Sequence, residues 1–70
     1  MTSFEIRGSF IELYKLLKAA GIAENGAEAK HWISDGRVRV NGQVETRKAC
    51  KLVDGDRVEY GDTVLVVKAG

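Results

Sequence analysis

The apolar positions of this chain change period once, and the change divides it into a helical part and a stranded part. Phe4 and Ile6 flank Glu5 in an alternation that predicts a short strand. Leu13, Leu16, Leu17 and Ala20 then recur at i, i+3, i+4 and i+7, the inward stripe of a helix. Ser9 followed three residues later by Glu12 predicts a capping box ahead of that helix, and Gly21 stands where a left-handed residue ends one. A second helix is predicted at once: Asn25 as N-cap with Glu28 three residues on, Ala29, Trp32 and Ile33 facing inward, and Gly36 closing it. Two short helices joined by a few residues predict a helix-turn-helix-like pair.

Beyond Gly36 the period is two. Val38 and Val40 alternate with Arg37 and Arg39 and run into Asn41-Gly42, a hairpin turn signal. A two-residue turn sets Val44 opposite Arg39, whereas a three-residue loop from Val40 to Gly42 sets Val44 opposite Val38. Register usually follows the buried face, so the three-residue loop is expected. It brings Arg37 beside Glu45, as an ion pair, and Arg39 beside Gln43. Residues 46–51 lack alternation and read as an exposed loop. Val53-Asp54-Gly55-Asp56 reads as a turn, Arg57 to Tyr60 as a strand, Gly61-Asp62 as a second turn and Thr63 to Lys68 as the last strand. The predicted class is α+β: two short helices packed on a small, bent, mostly antiparallel sheet.

Composition narrows what such a fold can do. Seventy residues predict one domain over 1–70, with little room for a deep catalytic pocket. With 44% apolar and 30% charged residues the chain is not disordered. Met1 is followed by polar Thr2-Ser3 and no apolar run approaches spanning length, so neither a secretory leader nor a membrane partner is expected. The single cysteine, Cys50, has no internal partner and fits a reducing cytoplasm. Neighbouring lysines would lower its pKa, yet a partly buried structural thiol is the stronger expectation. His31 stands alone, so no metal and no cofactor are expected. Asp54, Asp56, Glu59 and Asp62 are spread over turns and a strand, with no nucleophile and base nearby, so no enzyme is expected.

Charge locates the partner. The net charge is only +1, yet residues 15–51 hold eight bases against four acids, and Arg47, Lys48 and Lys51 fall within five residues. A basic loop on a near-neutral domain points to an anion, and the polyanion that fits it best is RNA. The candidate RNA-binding residues are Asn25, Gly26, Lys30, Arg39, Arg47, Lys48 and Lys51, with Lys15, Lys18 and Arg37 in a second tier. Asn25 and Gly26 open a helix whose N-terminal N–H groups attract phosphate, and Lys30 lies four residues on. The 47–51 loop forms the other half of the site, with Arg39 expected between the two. Trp32 reads as core rather than a stacking surface, and Tyr14, off the helix stripe, as a weak stacking candidate.

The run Gly26-Ala27-Glu28-Ala29-Lys30, together with Leu17 and Ile33, continues into Gly36-Arg37-Val38-Arg39-Val40-Asn41-Gly42 and Gly55-Asp56-Arg57-Val58. In that order these residues resemble the S4-like RNA-binding domain, the alpha-L RNA-binding motif, over roughly residues 9–67. Glu45-Thr46-Arg47-Lys48 with Cys50-Lys51 resembles the small stand-alone bacterial members of the YbcJ type. The resemblance implies a cytoplasmic, monomeric RNA-binding protein with no chemistry of its own. Its partner would be structured RNA, ribosomal or transfer RNA, with a place in ribosome assembly, ribosome rescue or translation. The chain departs from the wider family at Glu12 and Tyr14, where many members carry Arg and Asp, and at Asn25-Gly26, where many carry Ser/Thr-Arg. Without that arginine the 47–51 loop is expected to carry more of the binding. The alternative is a protein-interaction adaptor whose basic loop meets an acidic surface.

Overall fold

The computed structural model describes residues 2–69. Along the chain lie β1 (Thr2–Ile6), β2 (Ile11–Glu12), α1 (Leu13–Ala19), α2 (Gly26–Ser34), β3 (Val38–Val40), β4 (Gln43–Val44), β5 (Lys51–Leu52), β6 (Arg57–Tyr60) and β7 (Thr63–Ala69). Five strands form a sheet in the order β1-β7-β6-β3-β4, and β2 pairs with β5 as a separate ribbon. β1 runs parallel to β7, and the other pairs are antiparallel. The chain thus has the expected α+β class, a helix pair on a mostly antiparallel sheet.

In α1, Leu13, Leu16 and Leu17 are fully buried and Gly21 follows the helix at φ +76°, as the stripe and the glycine predicted. The capping box at Ser9 and Glu12 does not form. Residues 11–12 are extended and Glu12 is the N-cap residue, but its side chain makes no cap bond. Instead the Leu13 and Tyr14 amides donate to the carbonyls of Cys50 and Lys48, at 2.9 and 3.2 Å. A loop far along the chain supplies the acceptors that a local side chain was expected to give. α2 begins as read. Asn25 Oδ1 accepts the Glu28 amide at 2.8 Å, and the Glu28 carboxylate turns back to the Glu24 amide at 3.0 Å. Such a cap is worth about 1 kcal/mol. Gly36, at φ +77°, ends the helix.

The hairpin register differs from the expectation. Arg39 pairs with Val44 and Val40 with Gln43, so the loop is the two residues Asn41 and Gly42. Both take positive φ, 53° and 85°, the type I′ turn that Asn-Gly favours. Matching the apolar face would have gained little here, because β4 is an edge strand and Val44 stays 53% exposed. Asn41 also ties the turn to β6: its Nδ2 donates to Asp56 at 3.1 Å and its Oδ1 accepts the Arg57 amide at 2.9 Å. Two further expectations change with the register. Glu45, not Val44, lies across from Val38, its amide donating to the Val38 carbonyl at 3.0 Å. Arg37 pairs with Asp35 at 3.1 Å rather than with Glu45.

The core lies where the two helices meet one face of the sheet. Leu13, Leu16, Leu17, Ala29 and Ile33 pack on Val38, Val58, Leu65 and Val67, all at most 5% exposed. Fully burying one such side chain contributes roughly 1.5–3 kcal/mol. Trp32 stacks on Tyr60 at 4.2 Å between ring centroids, so it packs as expected against the core rather than standing free. Cys50 is half-buried against the same core. Its pKa is raised, not lowered: burial acts first, and the nearby Glu45 carboxylate adds to it. The lysines beside it in sequence do not set its chemistry.

Candidate nucleic-acid interface

The loop leaving β4 is organised by an ion pair between near neighbours. Arg47 Nε and Nη2 donate to the two Glu45 carboxylate oxygens, each at 3.0 Å, and the Arg47 amide donates to Oε2 at 2.9 Å. Glu45 is held low in the loop, its side chain 16% exposed, while that of Arg47 is 79% exposed. The Arg47 side-chain bonds, then its amide, pull the Glu45 carboxyl from an ordinary 4.5 to about 2. A carboxyl with a depressed pKa stabilises the fold above its ordinary value and loses that contribution as pH falls through the folded one. The pair's contribution should therefore be present above pH 4.5 and lost between there and pH 2. The exposure of Arg47 to solvent keeps that contribution small. A carboxyl NMR titration should show Glu45 moving back toward the ordinary value in Arg47→Ala. An unchanged midpoint would mean that the pair does not persist in solution.

Arg47 thus brings a carboxylate with it, whereas Lys48 and Lys51 have no ion-pair partner among the described residues. Arg47, Ala49, Cys50 and Lys51 line an open hollow of about 510 Å³. A second hollow, about 500 Å³, lies between the helices and is lined by Tyr14, Lys15, Lys18, Ala19 and Gly26. The Tyr14 ring sits beside Gly26, where an added Cβ would stand 3.8 Å from it. Lys30 Nζ lies 4.6 Å from the Tyr14 ring centroid, which brings that ammonium to the same hollow. Lys15 is also near the ring, at 5.9 Å, but its ammonium rests on Glu12 at 2.9 Å, and that contact raises its pKa. Helix geometry leaves the first-turn amides of Gly26 and Ala27 without an intrahelical acceptor.

Tyr14 joins the two hollows. Its ring forms a wall of one, and its amide donates to the Lys48 carbonyl at the edge of the other. Gly26, Lys15 and Lys18 thus line the hollow between the helices, with Lys30 at its Tyr14 wall, while Arg47 and Lys51 line the loop hollow, with Lys48 on the backbone link between them. Arg39 and Arg37 are not. β3 alternates, so Arg39 stands on the sheet face away from Val38, Val40 and the helices. There Arg37, Arg39, Glu59 and Gly61 line a separate hollow of about 310 Å³. Asp35 binds Arg37 there, and Glu59, across from Arg39, is paired with Arg57 at 3.8 Å. Sequence reasoning placed Arg39 between the helix and loop halves and made little of Tyr14. The signal for Tyr14 was its position off the buried stripe, next to Lys15.

Among the described residues no three His, Cys, Asp or Glu side chains gather as metal ligands, and no helix is long and apolar enough to cross a membrane.

Known proteins resemble this chain in sequence and fold. Residues 4–68 match the model of the S4 domain family. The YbcJ protein of Escherichia coli (strain K12) is 52% identical over 58 residues, covering 81% of this chain and 83% of the relative. The YbcJ protein of Shigella flexneri matches to the same extent. The solution structure of Escherichia coli YbcJ superposes with a TM-score of 0.74 at 43% identity, covering 96% of this chain and 86% of that one. It is described as revealing an alpha-L motif involved in RNA binding. A tyrosyl-tRNA synthetase C-terminal domain shares the fold at 22% identity, with a TM-score of 0.71 over 100% of this chain and 79% of that one.

Proposed function

The chain belongs to the S4 domain family, and from that premise we propose that it binds structured RNA, of the ribosomal or transfer class, as a cytoplasmic module without turnover. The observation that carries this is the basic side joined at Tyr14. Lys18, Lys30, Lys48 and Lys51 stand there without carboxylate partners among the described residues, on a chain whose net charge is only +1. The Escherichia coli relative, described as carrying a motif involved in RNA binding, supports the same reading.

The geometry suits phosphates and shape rather than base sequence. A-form RNA presents phosphates and 2′-hydroxyls on its surface and hides the base edges of its deep major groove. In the proposed complex one stretch of backbone meets Asn25, Gly26 and Lys30 with Lys15 and Lys18. A second stretch meets Lys48, Lys51 and Arg47. Arg39 and Arg37 would reach only an RNA that wraps round the sheet. A place in ribosome assembly, ribosome rescue or translation, by a monomer, follows from that substrate class and belongs to the same proposal.

The test is a titration of a folded transfer RNA and a ribosomal RNA fragment at several salt concentrations. With about four to six cations on phosphate, log K should fall with log salt at a slope of roughly −3 to −5. No binding at low salt would sink RNA as the ligand and leave the protein-interaction adaptor, with its acidic partner.

A further inference from the structure

The ribbon of β2 and β5 carries an apolar surface that phosphate docking does not use. Ile11 pairs with Leu52 and Glu12 with Lys51. Leu52 is fully buried and Ile11 packs on the core, so that pair faces inward. Glu12 and Lys51 face the other way, and alternation puts Phe10 and Val53, the next positions, on their side. Phe10 is 43% exposed and Val53 47%. Phe10 adjoins the ribbon, and the Val53 backbone is anchored by its amide, which donates to Asp56 Oδ2 at 2.8 Å. Lys51 Nζ lies 4.9 Å from the centre of the Phe10 ring, and Lys51 also lines the loop hollow.

We propose that Phe10, with Val53 beside it, is a stacking platform for one unpaired RNA base whose own phosphate is taken by Lys51. The inference rests on the RNA-binding function proposed above and narrows its substrate class. An aromatic ring stacks on any base, because every base has a π-face. The Lys51 ammonium lies over one face of the ring, which leaves the other face to a base and favours a nucleotide in particular, its phosphate turned to the ammonium. An uninterrupted duplex offers no base to this surface. The preferred RNA therefore carries a bulge, a loop or a junction where the backbone enters the 47–51 loop.

The experiment compares two hairpin RNAs that differ only in a single bulged 2-aminopurine in the stem. Wild type should bind the bulged hairpin more tightly, by roughly 5- to 100-fold, the range that stacking one base gives. The 2-aminopurine fluorescence should fall on binding. Phe10→Ala should lose the preference and the quenching while keeping the salt slope, and Phe10→Trp should keep both. Circular dichroism and thermal melting of each variant exclude misfolding as the cause. Equal binding of the two hairpins by wild type, or an undiminished preference in Phe10→Ala, overturns the platform and leaves RNA binding standing. Failure of wild type to bind either hairpin at low salt overturns RNA binding itself, and the platform with it.

Discussion

Replacing Lys30, Lys48 and Lys51 together by alanine is expected to weaken RNA binding by roughly 100- to 1000-fold at low salt and to flatten its salt dependence by roughly 2 to 3 in slope. Each of these ammonium groups stands without a carboxylate partner among the described residues, so each can displace counterions from a phosphate. A fourfold rise in salt should weaken wild type by roughly 60- to 1000-fold, and the triple variant by roughly 16- to 60-fold less than that. The ion pair in the loop gives the contrast. Glu45→Gln with Arg47→Ala deletes the pair without changing net charge. If Lys48 and Lys51 carry the loop's contribution, its slope stays near that of wild type. A loss of about one unit would show that Arg47 itself holds a phosphate despite Glu45. Filter binding or fluorescence anisotropy across salt reads both results. A triple variant with an unchanged slope would remove this side of the molecule from RNA binding.

The other large effect is on the fold. Leu17→Ala should destabilise the protein by roughly 2–5 kcal/mol, the cost of emptying a fully buried leucine site. A domain of this size holds only about 4–10 kcal/mol in all, so the variant should melt at least about 10 °C lower and be partly unfolded at 37 °C. Leu17 is a demanding site for a second reason. Its carbonyl accepts the amides of both Ile22 and Ala23, at 3.0 Å each, so the link into α2 hangs on the same turn. Val44→Thr, on the exposed edge strand, should shift the melt by no more than a degree or two. Denaturant titration of the pair checks the contrast, and a Leu17→Ala melt matching wild type would show that this core site can collapse around the loss.

What could be read from the sequence was what a few neighbouring residues decide. Asn25 caps α2 through Glu28, Gly21 and Gly36 end their helices at positive φ, and the stripe of Leu13, Leu16 and Leu17 is buried. What escaped depends on contacts between distant segments, or on an energy too small to fix by pattern. The capping box at Ser9 and Glu12 lost to carbonyls that come from Lys48 and Cys50. The three-residue hairpin loop lost because an edge strand gives the apolar face little to gain, while Asn41 is also anchored to Asp56 and Arg57. The ion pairs followed the register, Arg37 going to Asp35 and Glu45 to Arg47. The candidate site was legible in type but not in layout. The sequence offered the lysines as candidates for one basic side; the fold sets Lys15 and Lys18 at the hollow between the helices, Lys51 at the loop hollow, and Arg39 on the other side of the sheet.

The two carbonyls that receive the first amides of α1 divide the duties of the loop between length and chemistry. Backbone groups do the holding, so the side chains at 48 and 49 are free to drift or be exchanged without disturbing the helix. The number of residues is not free, because inserting or deleting one would pull both acceptors away from the helix start. The loop is therefore a place where ligand preference can evolve by substitution alone, within a frame of fixed length.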